Sequence, residues 1–381
     1  MSIILTVGLL LIIVSYATRK SKYAPLIGFA FVFLIMGFQS GVEGDFMNYK
    51  DKFELLARTG HEDAIEGGVE YGWIILRKLF SFGPFWLFIL SISLFQSIIL
   101  CKFTKRYCVN DYQYLAAILF YFTFMMMLWQ MKAIRQGLVI EIMLLAFMLV
   151  DEKKKLLPPL ICALIAFTIH NSCLIIVPFL FLYYYIREDK NAAVIDGRKG
   201  LFVRNLPIIL TTLYFVVYAS KVTFLQQYLA PWAFLMLDDT ESRFAGYLEE
   251  SNTKEGIFSL MGEGVSLLLV FYDAIIVFVV SWFYRFATKR MRLFAIFSII
   301  AAFGDMLFWG LGSLTRLFMY FTVFNIVVYP NVCKQIKSSY GWMYAFIFIV
   351  LLIGYAWKTS YPWMIGTDDG RFGTYQFLFW K

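Results

Sequence analysis

Pro84-Phe-Trp-Leu-Phe-Ile-Leu-Ser-Ile-Ser-Leu-Phe-Gln-Ser-Ile-Ile-Leu-Cys101 is a run of eighteen residues with no charged side chain. That is the length and composition of a helix that crosses a bilayer. Comparable apolar runs recur from Ile3 to Trp357, and the 381-residue chain is 61% hydrophobic and only 16% charged. Soluble domains carry about 45–50% apolar and about 25% charged residues. The composition therefore excludes a water-soluble enzyme, a disordered chain or a single anchored domain, and predicts an all-α polytopic membrane protein. The formal charge of +8 does not point to nucleic acid, because Lys and Arg lie in short blocks between apolar runs rather than in one basic domain.

The pattern predicts about 12 transmembrane helices: 3–18, 23–42, 84–101, 112–130, 136–150, 156–170, 173–186, 205–220, 265–284, 293–312, 317–333 and 341–357. The first is read as a retained helix, since its basic residues Arg19, Lys20 and Lys22 follow it rather than precede it. Several runs are only about 15 residues long, short of the usual 20 or so, so their ends must be sheltered by neighbouring helices. Alternate sides give one face 20 of the 34 Lys and Arg with 6 acids, and the other face 14 with 17 acids. By the positive-inside rule the first face is cytoplasmic and both termini lie outside. Residues 1–381 form one integral membrane domain on this reading, with extracytoplasmic loops over about 43–83 and 221–264 and an extracytoplasmic tail over 358–381.

Eight of the ten Trp fall near the outer side: Trp73, Trp86, Trp129, Trp232, Trp309, Trp357, Trp363 and Trp380. They serve as an interfacial belt, as stacking platforms for sugar rings, or as both. Cys101, Cys108, Cys162, Cys173 and Cys333 are odd in number and lack paired metal spacing, so they read as packing residues, with neither a disulfide framework nor a metal site. No internal repeat divides the chain into matching halves.

An ionisable group inside apolar surroundings is a functional candidate. Arg135 stands in Trp129-Gln-Met-Lys-Ala-Ile-Arg135-Gln136-Gly137, a tight outer turn between two spans, where it either faces a ligand or snorkels to water. His170 stands in Thr168-Ile-His170-Asn-Ser172 at the outer end of a helical hairpin, as a functional imidazole or as part of a capped turn. The second His of the chain, His61, sits among acids and reads as solvated. Arg243 with Tyr247, Arg316 with Tyr320, Arg371 with Tyr375 and Arg19 with Tyr23 are all four residues apart, placing each pair on one face if helical. Asp305, Trp309, Gly312 and Arg316 are spaced 4, 3 and 4 apart and would align as a stripe on a continuous helix. Asp305, Glu141 and Asp273, within spans, read as buried structural partners for cations. In the first outer loop, Trp73, Leu76 and Phe80 are assigned to one face of an interfacial amphipathic helix, and Glu70 and Arg77 to another. Asp45, just after the second span, is the acid best placed to lean over the membrane mouth.

These candidates converge at the outer ends of different spans. Several guanidinium groups meeting at an interface suit a dense anion such as a pyrophosphate, and imply group transfer with a phosphate leaving group. In order and spacing, Gly41-Val-Glu-Gly-Asp45-Phe-Met-Asn-Tyr49, Glu70-Tyr-Gly72, Arg135-Gln136, His170-Asn-Ser172, Arg316 beside aromatics and Tyr375-Gln-Phe377 resemble the EpsG/Wzy group of bacterial polysaccharide polymerases. The resemblance spans most of the chain. One departure is Gln39, where a basic residue is expected.

The resemblance implies a GT-C-like glycosyltransferase bundle in the bacterial cytoplasmic membrane, with its site facing outward. It implies a donor and an acceptor that are both undecaprenyl-pyrophosphate-linked oligosaccharides, polymerised with release of undecaprenyl pyrophosphate, without cofactor or metal. Arg135, Arg243 and Arg316 would bind pyrophosphate, and His170 would orient or deprotonate the acceptor, with Asp45 as the rival base. Glu70, Gln136, Tyr49, Tyr247 and Tyr320 would be second-tier contacts. Besides membrane lipid, a chain-length regulator protein is an expected partner, and nucleic acid is not. Two other readings stay open: an O-antigen-ligase-like transferase to a terminal acceptor, and a non-enzymatic flippase or transporter of lipid-linked sugars.

Overall fold

A computed structural model describes residues 3–41, 45–60, 70–122, 127–153, 155–186, 197–219, 267–307, 312–341 and 376–377. The predicted last span, the second outer loop with Arg243 and Tyr247, and the tail other than Gln376 and Phe377 lie outside them. The described elements are helices except for one short two-stranded ladder, as the apolar runs require. It divides into two compact units, Met1–Cys173 with Tyr329–Lys381, and Leu174–Val328.

The first unit is built from α1 (Ile3–Ala17), α2 (Ala24–Gly37), α3 (Asp45–Thr59), α4 (Tyr71–Phe80), α5 (Phe85–Tyr107), α6 (Gln113–Phe122), α7 (Met127–Lys132), α8 (Ile134–Lys153) and α9 (Leu157–Ile169). Proline marks several starts: Pro25 in the first turn of α2, Pro84 just before α5, and the Pro158-Pro159 pair opening α9. Proline has no N–H to lose there, and its fixed φ suits a helix start. Helices α2, α5 and α8 pack in succession, with α1 and α6 against α2 and with α9 against α8. At the far end of α8, Tyr107 donates to Asp151 Oδ2 at 2.5 Å, and Arg106 bonds both Asp151 and Glu152, at 3.2 and 2.7 Å. That lock fixes α5 to α8 about 26 Å from the start of α8, given 1.5 Å per residue.

Helix α5 alone is long and apolar enough to cross a membrane by itself among the described residues. Six shorter apolar helices fall at 6–17, 24–37, 157–169, 171–185, 203–219 and 270–283. The predicted span at 112–130 appears as α6 and α7 on either side of residues that are not described.

In the second unit, α10 (Val177–Tyr185), α11 (Gly197–Ala219), α12 (Leu267–Phe283), α13 (Lys289–Leu307) and α14 (Gly312–Thr322) surround an aromatic core. Phe179 packs edge-on against Phe297 and Phe321, and Tyr183 stacks on Phe294 with rings 7° from parallel. Helix α15 (Asn325–Tyr340) follows α14 in the chain. Gly341, at φ +85°, ends it with a bond back to the Lys337 carbonyl, a left-handed stop that glycine makes at no steric cost.

Two expectations are corrected here. Phe318 of α14 lies directly over Gly304 of α13, so the chain turns back on itself. On one continuous helix those residues would be about 21 Å apart, and the stripe from Asp305 to Arg316 does not exist. The acids within spans also do not pair with cations among the described residues. Glu141, fully buried, accepts from Gln96 Nε2 at 3.3 Å, and Asp273 accepts from Tyr214 at 3.4 Å. Neutral donors serve a carboxyl group without burying a second full charge.

Candidate functional site

The site begins with a backbone contact. Glu70 precedes the first residue of α4, with φ −66° and ψ 135°, and its carbonyl accepts from the N–H groups of Trp73 and Ile74. Two residues on, Gly72 meets Thr168 on α9, where a Cβ would collide with the Thr168 backbone. Glycine is the residue that permits this approach. It seats the start of α4 on the last turn of α9, two residues before His170.

His170 ends α9 in an extended conformation, φ −161° and ψ 112°, its N–H still bonded to the Ala166 carbonyl. A 3-10 turn, Asn171–Ile175, then leads away. The turn directs the imidazole and the Asn171 N–H at the same neighbour. Nδ1 of His170 lies 2.9 Å from Glu70 Oε1, and the Asn171 N–H donates to the same oxygen at 3.3 Å. Because an ionised carboxylate only accepts, Nδ1 carries the proton in this pair, leaving Nε2 with the lone pair in the neutral ring.

The other oxygen of Glu70 belongs to Arg135. Helix α8 opens one residue after α7 ends, so Arg135 stands in its first turn, and Nη1 donates to Glu70 Oε2 at 2.5 Å. The Arg135 side chain keeps a quarter of its surface exposed, whereas Glu70 keeps 8%. Its buried Nε has no hydrogen-bond partner among the described residues. Three segments, at 70, 135 and 170, therefore meet on one carboxylate.

Burial alone would raise the Glu70 pKa. The His170 hydrogen bond, the Arg135 charge and the His170 charge outweigh it and hold the carboxyl below its ordinary value. The group is an anion at neutral pH.

An aromatic wall supports this corner. Trp73, one turn along from Glu70, packs edge-on against Tyr49 of α3 at 5.6 Å and tilts against Phe88 of α5 at 5.5 Å. Phe53 stacks on Phe88 and tilts against Phe85, while Phe46 meets Phe85 edge-on. Asp45 opens α3 one turn before Tyr49; its side chain lies outside the described residues. A ladder pairs Gln39 with Phe377 and Gly41 with Gln376, joining the segment before α3 to the tail.

The sequence reading ranked Glu70 in the second tier and set it, with Arg77, on a different face from Trp73. Instead Glu70 is the joint of the site, and Trp73 and Arg77 are both 2% exposed on one buried face. The spacing of three and four among Glu70, Trp73 and Arg77 carries that signal. Gln136 is buried beside Arg135. Arg316 and the buried Tyr320 share a face of α14 in the second unit, four residues apart.

No curated protein and no solved structure matches the chain. The model of the EpsG family matches residues 22–364 of the 381, taking in Glu70, Arg135, His170 and Arg316. The chain belongs to the EpsG family.

Proposed function

We propose that this membrane protein of polysaccharide biosynthesis polymerises undecaprenyl-pyrophosphate-linked oligosaccharide repeat units on the extracytoplasmic side of the bacterial cytoplasmic membrane. The observation that carries the reading is the meeting of Arg135 and His170 on Glu70. It places a permanent cation suited to pyrophosphate next to an imidazole held in one tautomer.

In the reaction, a sugar hydroxyl of the incoming lipid-linked unit attacks the anomeric carbon of the growing chain. The new glycosidic C–O bond forms as the bond to pyrophosphate breaks, and the electron pair leaves on the pyrophosphate oxygen. Arg135 stabilises that charge, and the hydroxyl proton passes to His170. Arg243 and Arg316 supply further guanidinium groups for the anion. Asp45 is the alternative base. Gln136, Tyr49, Tyr247 and Tyr320 bind sugar or phosphate oxygens at the second tier. The fold is a GT-C-like bundle of about 12 crossings with both long loops outside, and a separate protein sets chain length.

The test is turnover by purified protein of an undecaprenyl-pyrophosphate-linked repeat unit, with products resolved on a gel. A ladder of lengths, abolished by Arg135→Ala, is the expected result. A single transfer to a terminal acceptor would make the protein a ligase, and intact substrate crossing a vesicle membrane without lengthening would make it a transporter.

A further inference from the structure

We infer that Glu70 is a counter-ion shared between the leaving-group site and the base, and that pyrophosphate at Arg135 releases its charge to His170, so that donor binding strengthens the base. The inference rests on the reading of Arg135 and His170 given under Proposed function.

One carboxylate serves two partners, with Oε2 on the Arg135 guanidinium and Oε1 on His170 Nδ1 and the Asn171 N–H. Among the described residues, the groups facing it are Arg135 from α8, His170 from the end of α9, and the Cys173 thiol from the following turn. With no anion present, the Glu70 charge is divided. Arg135 is permanently cationic and competes with His170 for that charge from the other oxygen. The imidazolium that forms when His170 accepts a proton is then only partly stabilised.

A sugar–lipid pyrophosphate brings two negative charges to the guanidinium. Arg135 is then neutralised from the ligand side, and the same anion repels Glu70. The partner left for the carboxylate is His170, whose protonated form gains most when the acceptor proton arrives. Glu70 is thus a positioning residue. It fixes the imidazole tautomer in every state, and it raises the base strength most when the donor is in place. Donor binds first and acceptor activation follows.

His61 and His170 are the two histidines of the chain, so His61→Gln leaves one imidazole to observe. The experiment follows the His170 ring signals by NMR across pH in protein labelled at histidine, with and without saturating inorganic pyrophosphate, whose binding is measured separately by calorimetry. The titration midpoint is expected to rise by about one unit with pyrophosphate, the usual scale for a nearby charge change. In Glu70→Gln that rise should shrink to the small direct effect of the anion. Arg135→Gln, which keeps Glu70 but removes its competitor, should show a raised midpoint without pyrophosphate and no further response to it.

Pyrophosphate that binds yet leaves the midpoint unmoved, or moves it equally in wild type and Glu70→Gln, overturns the coupling while leaving the Arg135 site standing. Binding that survives Arg135→Gln unchanged overturns the Arg135 assignment itself, and the coupling with it. The Arg135→Gln prediction keeps the proposal falsifiable if Glu70→Gln fails to fold.

Discussion

Gly72 presses its backbone against Thr168, two residues ahead of His170, and this contact sets how far the Glu70 side chain must reach. Gly72→Ala inserts a methyl group where Thr168 backbone atoms stand. Neither partner is the loose end of a flexible chain, so α4 must lift. The variant is expected to lose about 1–3 kcal/mol of stability, the usual cost of overpacking. Its turnover should fall to the level of Glu70→Ala. Thermal unfolding in detergent beside the gel assay checks both, and near wild-type turnover would show that the seating of α4 does not govern the site.

Arg135→Ala is expected to reduce turnover by about 10²–10³-fold, the range seen when one preorganised donor to a developing oxyanion is removed. Arg135→Lys should recover little, because an ammonium group cannot hold Glu70 and an anion through one planar fork. A lysine variant with full activity would reduce Arg135 to a point charge.

Glu70 also sets a pH dependence of stability. Its folded-state pKa lies below the ordinary value, so its contribution is complete above the unfolded pKa, about 4.3, and is lost as pH falls through the lower folded value. At neutral pH, Glu70→Gln should cost about 2 kcal/mol, the scale of a hydrogen bond to a charged group. The difference from wild type should close only in acid, below the usual glutamate range. Denaturation midpoints of the two proteins at neutral and acidic pH measure it, and a gap that stays constant would contradict the ion pair.

The lock at the far end of α8 offers a contrast. Tyr107→Phe deletes the bond to Asp151 about 24 Å from Arg135. It should lower stability by about 1 kcal/mol and leave turnover unchanged. A substantial loss of activity would mean that α8 transmits strain along its length.

Arg135 and His170 could be picked out in the sequence because each is polar in a run that is otherwise apolar, and a membrane helix tolerates few such residues. The site's join could not be read the same way. Glu70 lies 65 residues from Arg135 and 100 from His170, and nothing local in Glu70-Tyr-Gly72 says which helix it will meet. Periodicity misplaced Arg77 for a related reason. An amphipathic reading gives charge to solvent, whereas α4 is covered on the face that carries Trp73 and Arg77, so tertiary packing overrode the pattern. The hairpin of α13 and α14 was missed because spacing of 4, 3 and 4 looks the same whether or not the chain turns between its members. Helix content itself was plain, since apolar runs of this kind have few other ways to satisfy their backbone.

The ladder between Gln39–Gly41 and Gln376–Phe377 has a consequence for the order of assembly. Its first strand emerges from the ribosome early, and its partner follows only after all the intervening helices have been made. Closing so long a loop is entropically costly and slow. Until then Gln39–Gly41 lacks this partner strand, and an edge without its partner is the kind of surface that captures foreign strands. A chain halted before residue 376 never gains this pairing, so the ladder marks molecules whose synthesis has passed that point.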